Sequence, residues 1–332
     1  MYTIVKNDNI DKEAWDKFLE LSPMASWFQS YSCYQFYCQL SFLTPFVYAV
    51  ESVGQLKGLV CGYLITEGGV IKSKFSRRAI IPGGALFSND ISTEVVELLL
   101  VGLKTELQHK TIYIEFRNLN DYSTYKDVFQ RMGFKYKPHL NFHIDLTTVD
   151  EVFSKLSDSK KRQVRQTLKA GVSFELTRRA EDITEFYKIL SELYQNKIKL
   201  PLFPVEFFEK IIKDSMGQLI VLKENGIVLG GILCVVDKNT VYEWFVCGLD
   251  QRTQKIYPSA LATWAGIKHA IDEGCSRFDF MGAGKPDRDY GVRDFKARFG
   301  GELVEHGRFI HIFKPAVFNL AKWYLKFYKK YF

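Results

Sequence analysis

Residues 276–301 read SRFDFMGAGKPDRDYGVRDFKARFGG. The first residues, Arg277-Phe278-Asp279-Phe280, alternate polar and apolar, the period-2 pattern of a strand. Gly282 and Gly284 break that pattern, and Pro286 with Asp287 and Asp289 rules out regular structure through the loop. A helix then follows, with Val292, Phe295 and Phe299 on one face and Gly300-Gly301 as its stop. Arg293 and Lys296 lie on a neighbouring face. A loop carrying both charges, followed by cations on one turn of helix, suits an anionic or carbonyl-bearing substrate. The same pattern also describes a helix whose basic residues are simply solvated.

Working outward, this strand–loop–helix has an earlier counterpart. VESVGQLKGLVCG at 50–62 matches LKENGIVLGGILC at 222–234, each a strand, a turn at Gly54 or Gly226, and a second strand bearing Gly58 or Gly230. A helix follows in each half, from Ser92 and from Pro258, and then a strand with an acid, Glu115 or Asp279. Both series end in an aromatic helix stopped by glycine, FQRMGF and FKARFGG. The offset is about 165–170 residues, the size of an ordinary domain. The pattern predicts an α/β (α+β) protein of two similar domains, each a mixed sheet flanked by helices, at 1–150 and 151–314. A third segment, 315–332, is a basic tail.

Composition sets bounds. A chain of 332 residues, 47% hydrophobic and 25% charged, can bury two ordinary cores. A net charge of +7 favours anionic partners such as phosphates, nucleic acid or acidic lipid without choosing among them. The six cysteines show neither CxxC nor zinc spacing and read as buried thiols in a reducing compartment. No metal site is expected. No apolar run is long enough to cross a membrane, and the N-terminus lacks the apolar core of a signal peptide, so a cytoplasmic location is expected.

Several stretches supply candidate site residues. Arg77-Arg78 lead into a Pro-Gly-Gly bend, after a further expected strand. The helix in SDSKKRQVRQTLKAGV, capped by Ser157 or Asp158, places Lys161, Arg165 and Lys169 on one face with Arg162 beside them. That stripe is either a site for a phosphate backbone or a solvated face. Lys197 and Lys199 enter a Pro-rich break, and Glu243 stands amid aromatics on a strand, either paired or serving as a base. His139 and His143, four apart on a strand-like segment, share a face by spacing, usually a structural arrangement. The lead-in DQRTQ precedes Lys255-Ile256-Tyr257-Pro258-Ser259, where a helix begins with proline in its first turn. In the tail, Lys322, Lys326, Lys329 and Lys330 share an arc opposite Val317, Leu320, Tyr324, Phe327, Tyr328 and Tyr331. Either that helix lies on an anionic membrane surface or its aromatic face packs on the protein.

YGVRDFKARFGGELVEHGRF resembles the C-terminal signature of the Fem-type peptidyltransferases, with FKxxFGG its most specific part. RFDFMG and KRQVRQTLKAGVSFEL are also similar to family elements in their usual order, and ASWFQSYSCYQFYCQL resembles the family's early FxQS segment. The resemblance implies two tandem GNAT-like (acyl-CoA N-acyltransferase) domains. It further implies transfer of an amino acid from aminoacyl-tRNA to an amine on a lipid-linked or nucleotide-linked cell-envelope precursor in peptidoglycan synthesis. Lys296 matches the lysine of the family's FK pair, implied to act near the reaction centre, and Asp279 is the companion candidate proton acceptor. Arg293, Arg298, Asp287, Asp289 and Tyr290 are candidate substrate contacts. The helical hairpin that some members carry after the basic helix is missing here. Acetyl-CoA enzymes of this fold have a glycine-rich loop where this chain has Lys255 to Ser259, which counts against acetyl-CoA as donor. Three expectations stay open. One is a Fem-type aminoacyltransferase, another an acyltransferase using acyl-CoA or acyl carrier protein in polysaccharide or lipid synthesis, and the last a non-catalytic binding module. No tightly bound cofactor and no DNA partner are expected. The location implied is cytoplasmic, at the inner face of the membrane if the tail binds there.

Overall fold

The computed structural model describes residues 2–66, 76–249 and 255–331, with side chains of the last helix as far as residue 323. The strand expected before Arg77 and the DQRTQ lead-in fall largely on residues 67–75 and 250–254, outside the described residues. The chain divides into two compact units, Met1–His139 with Glu305–Phe332, and Leu140–Val304.

The first unit is built on a sheet whose main path runs β1 (Thr3–Lys6), β2 (Leu43–Ser52), β3 (Gln55–Ile65), β4 (Arg78–Gly83), β6 (Tyr113–Asn118), β15 (Arg308–Ile312) and β7 (Lys135–Lys137). A short β5 (Leu86–Phe87) also pairs with β3. Neighbours are antiparallel except β4 and β6, which are parallel. The 15-residue helix Thr93–Leu107 makes the crossover that a parallel pair requires. The second unit repeats this order: β9 (Ser173–Thr177), β10 (Gln218–Glu224), β11 (Ile227–Asp237), β12 (Thr240–Gly248), β13 (Arg277–Asp279), β8 (Leu140–Asp145) and β14 (Glu302–Glu305). Its parallel pair is again fourth and fifth, β12 and β13, and its crossover helix, Pro258–Asp272, again has 15 residues.

The sheets share a finer mark. Pairing of β2 with β3 slips by one residue just past Gly58, and pairing of β10 with β11 slips by one residue just past Gly230. These are the two glycines that the sequence repeat aligns. At Gly230 a side chain would lie 2.4 Å from the Cys247 carbonyl oxygen, so the bulge brings two backbones too close for any Cβ.

The sixth strand of each sheet comes from the other half of the chain. β8 leaves the first half to join β13, and β15 leaves the second half to join β6. The units therefore do not divide at residue 150, as the repeat alone suggested. Strand-to-helix change near 147–158 marks where one secondary-structure type ends, whereas hydrogen bonding decides which sheet a strand completes. His139 and His143 are separated by the same division. His139 Nε2 meets Arg308 at 2.9 Å in the first unit, and His143 Nε2 meets Asp279 at 3.1 Å in the second.

In the first unit Glu115 locks β15 in place. It is 7% exposed and pairs with Arg117 at 3.1 Å and Arg308 at 2.5 Å. Burial pushes its carboxyl up, but the two guanidinium groups prevail and hold it at about 2. Around it, aromatic rings fill the core, with Phe129 stacked on Phe309 at 4.2 Å. The Arg77 backbone carbonyl accepts from Ile112 N at 2.9 Å, and Arg78 reaches the Ser76 carbonyl at 3.3 Å. The Pro-Gly-Gly bend after them is occupied by the protein itself, since a Cβ at Gly83 or Gly84 would strike Gln29 or Tyr122. The second core centres on Phe278, Phe280, Phe299 and Trp264 between its sheet and helices. Five of the six cysteines are buried free thiols, and Cys38 is exposed.

A fragment of residues 140–304 retains β8, so it should unfold cooperatively by circular dichroism. A fragment of 151–314 lacks the partner strand of β13 and should be insoluble or non-cooperative. Equal behaviour of the two would refute the exchange. Separately, a carboxyl at about 2 in the folded chain and near 4.5 when unfolded stabilises by about 3 kcal/mol above pH 4.5. That contribution is lost as pH falls toward 2. Unfolding free energies of Glu115→Gln should therefore fall less steeply than those of the parent chain between pH 4.5 and 2.

Candidate active site

The decisive stretch folds as the sequence suggests, with β13, a loop, and the short helix Gly291–Ala297. Lys296, however, is not on a polar face. It lies on the inward side with Phe299, three residues on, and is 8% exposed. Its Nζ donates to the Phe280 carbonyl at 2.7 Å and the Gly282 carbonyl at 3.0 Å, and lies 3.1 Å from Glu243 Oε1. An ammonium has three protons, and three acceptors surround this one.

Glu243 lies beside a bulge of β12, where the register with β11 skips Trp244. It is 4% exposed. Burial pushes its carboxyl up, Lys296 opposes this, and nearby Asp279 adds to the rise. Its second oxygen, Oε2, is buried with no hydrogen-bond partner.

Asp279 is equally enclosed, at 2% exposure. Its Oδ1 accepts from Asn141 Nδ2 at 2.7 Å and Met281 N at 2.6 Å. Asn141 and His143 alternate on β8, so both side chains reach Asp279 from the exchanged strand. Asn141 Oδ1 in turn accepts from Gly282 N at 2.7 Å. Arg293, expected to meet substrate, instead donates to the carbonyls of Ala283 at 3.1 Å, Arg288 at 2.8 Å, and Lys285. Lys296, Asp279, Asn141 and Arg293 thus clamp the loop that runs from 280 to 288. That loop carries Met281 at a positive φ of 54°, a conformation a non-glycine residue holds only when its surroundings insist. Asp287 and Asp289 stand exposed at the loop's tip, and Tyr290 is 42% exposed at its end.

A cavity of about 330 Å³ opens beside this loop, lined in part by Gly291, Asp294, Phe295 and Arg298. Its other wall is Lys160 and Gln163, and its floor is the start of the crossover helix at Tyr257, Ser259 and Ala260. The helix Asp158–Lys169 turns Lys160, Gln163 and Thr167 inward. Thr167 Oγ1 accepts from Tyr257 N at 2.9 Å, tying the two helices together. Lys160 is 4% exposed, donates to Gln163 Oε1 at 3.1 Å, and has its Nζ 3.6 Å from the centre of the Phe295 ring. A buried cation at the N-terminus of a 15-residue helix makes a positive recess, because the helix dipole adds to the ammonium. Sequence spacing missed Lys160, Gln163 and Thr167. Their signal is an i, i+3, i+7 polar series on the apolar side of a helix on which Arg162, Arg165 and Lys169 face water.

The expected stripe is on that other side. Arg162, Arg165 and Lys169 are exposed, Arg165 lies 5.2 Å from the Phe153 ring, and Lys161 is 3.7 Å from Asp158. Lys197 is exposed and Lys199 occupies a left-handed turn at φ 52°. No cluster of three metal-ligating side chains occurs among the described residues.

Residues 154–296 match the family described as acetyltransferase (GNAT) domain. The crystal structure of FemX is similar over 95% of this chain and 99% of that one, with a TM-score of 0.71 and 16% identity. A tandem GNAT protein from the clavulanic acid biosynthesis pathway is similar over 94% and 99%, at a TM-score of 0.61 and 9% identity. L-PGS from Bacillus licheniformis is similar over 92% of each chain, at a TM-score of 0.56 and 13% identity. No curated protein matches the chain by sequence. The chain has the tandem GNAT fold expected from its Fem-type resemblance, and the acetyltransferase domain match bears out the expectation of an acyltransferase.

Removing Lys296 would strand Glu243 as a buried unpaired charge. Lys296→Ala should therefore cost about 3–5 kcal/mol in urea unfolding, and Lys296→Met with Glu243→Leu should recover only the part due to the unpaired carboxylate, because the Phe280 and Gly282 carbonyls still lose their donor. An unchanged urea midpoint for the alanine variant would show that the ammonium is not holding the loop.

Proposed function

We propose that the chain transfers an aminoacyl group from aminoacyl-tRNA to an amine of a cell-envelope precursor. The observation that carries this reading is the cavity at the start of the crossover helix. Lys160, Arg298 and the helix N-terminus favour a phosphate there, while Asp294 on the same wall suits the ammonium of an aminoacyl donor. A simple acyl group has no charge for that carboxylate to meet. The helix Asp158–Lys169 lines the cavity with one face and carries Arg162, Arg165 and Lys169 on the other. A polyanion longer than a pyrophosphate would therefore find further cations as it leaves the cavity. The similarity to FemX over the whole chain supports the same reading.

In this reaction the acceptor amine forms a C–N bond to the donor carbonyl while the ester C–O bond breaks. The amine's proton leaves, and the donor's oxygen takes one. Asp287 and Asp289, exposed on the segment that leads to Gly291 in the cavity lining, are the proposed anchors or proton acceptors for the amine. Lys296 and Asp279 act through the loop's shape and are positioning residues in this reading.

A second donor, acyl-CoA, also carries phosphates, and the test separates the two. Labelled aminoacyl-tRNA and acyl-CoA are each offered with an amine acceptor. Turnover with aminoacyl-tRNA is expected, and turnover with acyl-CoA alone would overturn the donor assignment. Lys160→Gln removes a charge-assisted contact worth about 1.5–3 kcal/mol, so KM for the donor should rise roughly tenfold to a hundredfold. The triple variant Arg162→Gln, Arg165→Gln, Lys169→Gln should raise KM for aminoacyl-tRNA and leave any acyl-CoA reaction unchanged.

A further inference from the structure

The C-terminal helix, Pro315–Tyr331, has 17 residues, about 26 Å at 1.5 Å per residue. Its described turns contact the first unit along one narrow side. Val317, Phe318 and Ala321 are half-buried, and Phe318 meets the Tyr113 ring edge-on at 5.2 Å. Leu320 and Trp323 are on another side, 57% and 63% exposed. The protein therefore leaves Leu320 and Trp323 largely open to solvent. At 100° per residue, positions 324, 327 and 331 fall on the side of Leu320 and Trp323, and all three are aromatic in the sequence. Lys322, Lys326, Lys329 and Lys330 fall together on the adjoining side, and no acidic residue follows Glu305.

We infer that this helix is a docking surface for an anionic lipid bilayer. Charge complementarity commits it to that occupant. A protein groove for a helix would meet the aromatic face but has no general reason to require four lysines and no acid next to it. A bilayer interface requires both: aromatic rings sit at headgroup depth while lysines beside them reach the anionic phosphates. Trp and Tyr are the side chains that favour that depth. No helix among the described residues is long and apolar enough to cross a membrane, so the contact is peripheral. The inference does not depend on which donor the site uses, and it would bring the chain to wherever a lipid-linked acceptor resides.

The test is co-sedimentation of the full chain with phosphatidylcholine vesicles and with vesicles containing phosphatidylglycerol, at low and high salt. Binding to the anionic vesicles alone, released by salt, is expected. One lysine at an anionic leaflet strengthens binding about fivefold, so Lys322→Gln with Lys329→Gln should weaken it about 25-fold. Leu320→Ser with Trp323→Ser, both at exposed positions, should abolish binding while leaving the circular dichroism melt unchanged. No binding to anionic vesicles at low salt, binding that survives the serine variant, or self-association in sedimentation velocity that the serine variant abolishes would each overturn the inference.

Discussion

The second unit depends on where one ammonium group spends its three protons. Lys296 gives two of them to the carbonyls of Phe280 and Gly282 and faces Glu243 with the third. Strand β13 ends at Asp279, and beyond it the chain keeps only scattered backbone bonds to β8, Phe280 N to the Phe142 carbonyl, Ala283 N to the Leu140 carbonyl and Leu140 N to the Gly284 carbonyl. Lys296 supplies the missing donors from one side, and Asp279, Asn141 and Arg293 satisfy the rest from others. Four side chains thus complete, for an irregular loop, what the backbone of β8 begins. Where the surroundings are dry, at Lys296 and Asp279, these bonds are costly to lose, whereas the Arg293 bonds to Lys285 and Arg288 lie in solvent.

One of those side chains, Asn141, comes with the exchanged strand, and His143 comes with it. Asn141 and His143 reach Asp279 only because β8 lies beside β13. In the first unit the corresponding acid, Glu115, is held by Arg308 from the exchanged β15. Each sheet therefore uses a charged contact on the strand it borrows. A borrowed strand closed only by apolar contacts could slide by two residues and still bury the same face. An acid with specific partners forbids that slide. In the second unit the register it enforces also sets the position of the loop next to the cavity.

Much of this was legible in the sequence. The two-sheet repeat could be read from Gly58 and Gly230, which follow a turn glycine at the same spacing and both sit at a one-residue slip, although only at Gly230 does a neighbouring backbone leave no room for a Cβ. The loop and helix of residues 276–301 were legible from glycine, proline and spacing. The exchange of β8 and β15 was not, since local pattern identifies a strand without identifying its neighbour. The inward turn of Lys296 was not legible either. On a helix of seven residues, one cation among apolar positions has no periodicity to set it apart. Lys160 was hidden by the opposite circumstance, a run of basic residues in which the one buried member has the same letter as Lys161 beside it.

The FKxxFGG stretch, taken residue by residue, explains why a signature of this kind carries fold better than chemistry. Phe295 lies under the Lys160 ammonium, and Lys296 holds the loop. Phe299 is fully buried in the core. Gly300, at a φ of 83°, leaves 2.6 Å between a would-be Cβ and the Lys155 carbonyl, and Gly301 leaves 2.7 Å to the carbonyl of His143 on the exchanged strand. Each of these five positions has a geometric reason for its residue type before any substrate is considered. Phe295 is the one that also faces the cavity, and there it works by stabilising a cation. The reactivity proposed above rests instead on what this scaffold presents: the Lys160 recess, Asp294 on its wall, and the exposed carboxylates Asp287 and Asp289. Lys160, Asp287 and Asp289 sit outside the quoted signature, and Asp294 stands just before its FKxxFGG core. Two chains sharing the pattern can accordingly keep the same loop and differ in donor through a few side chains around one helix N-terminus.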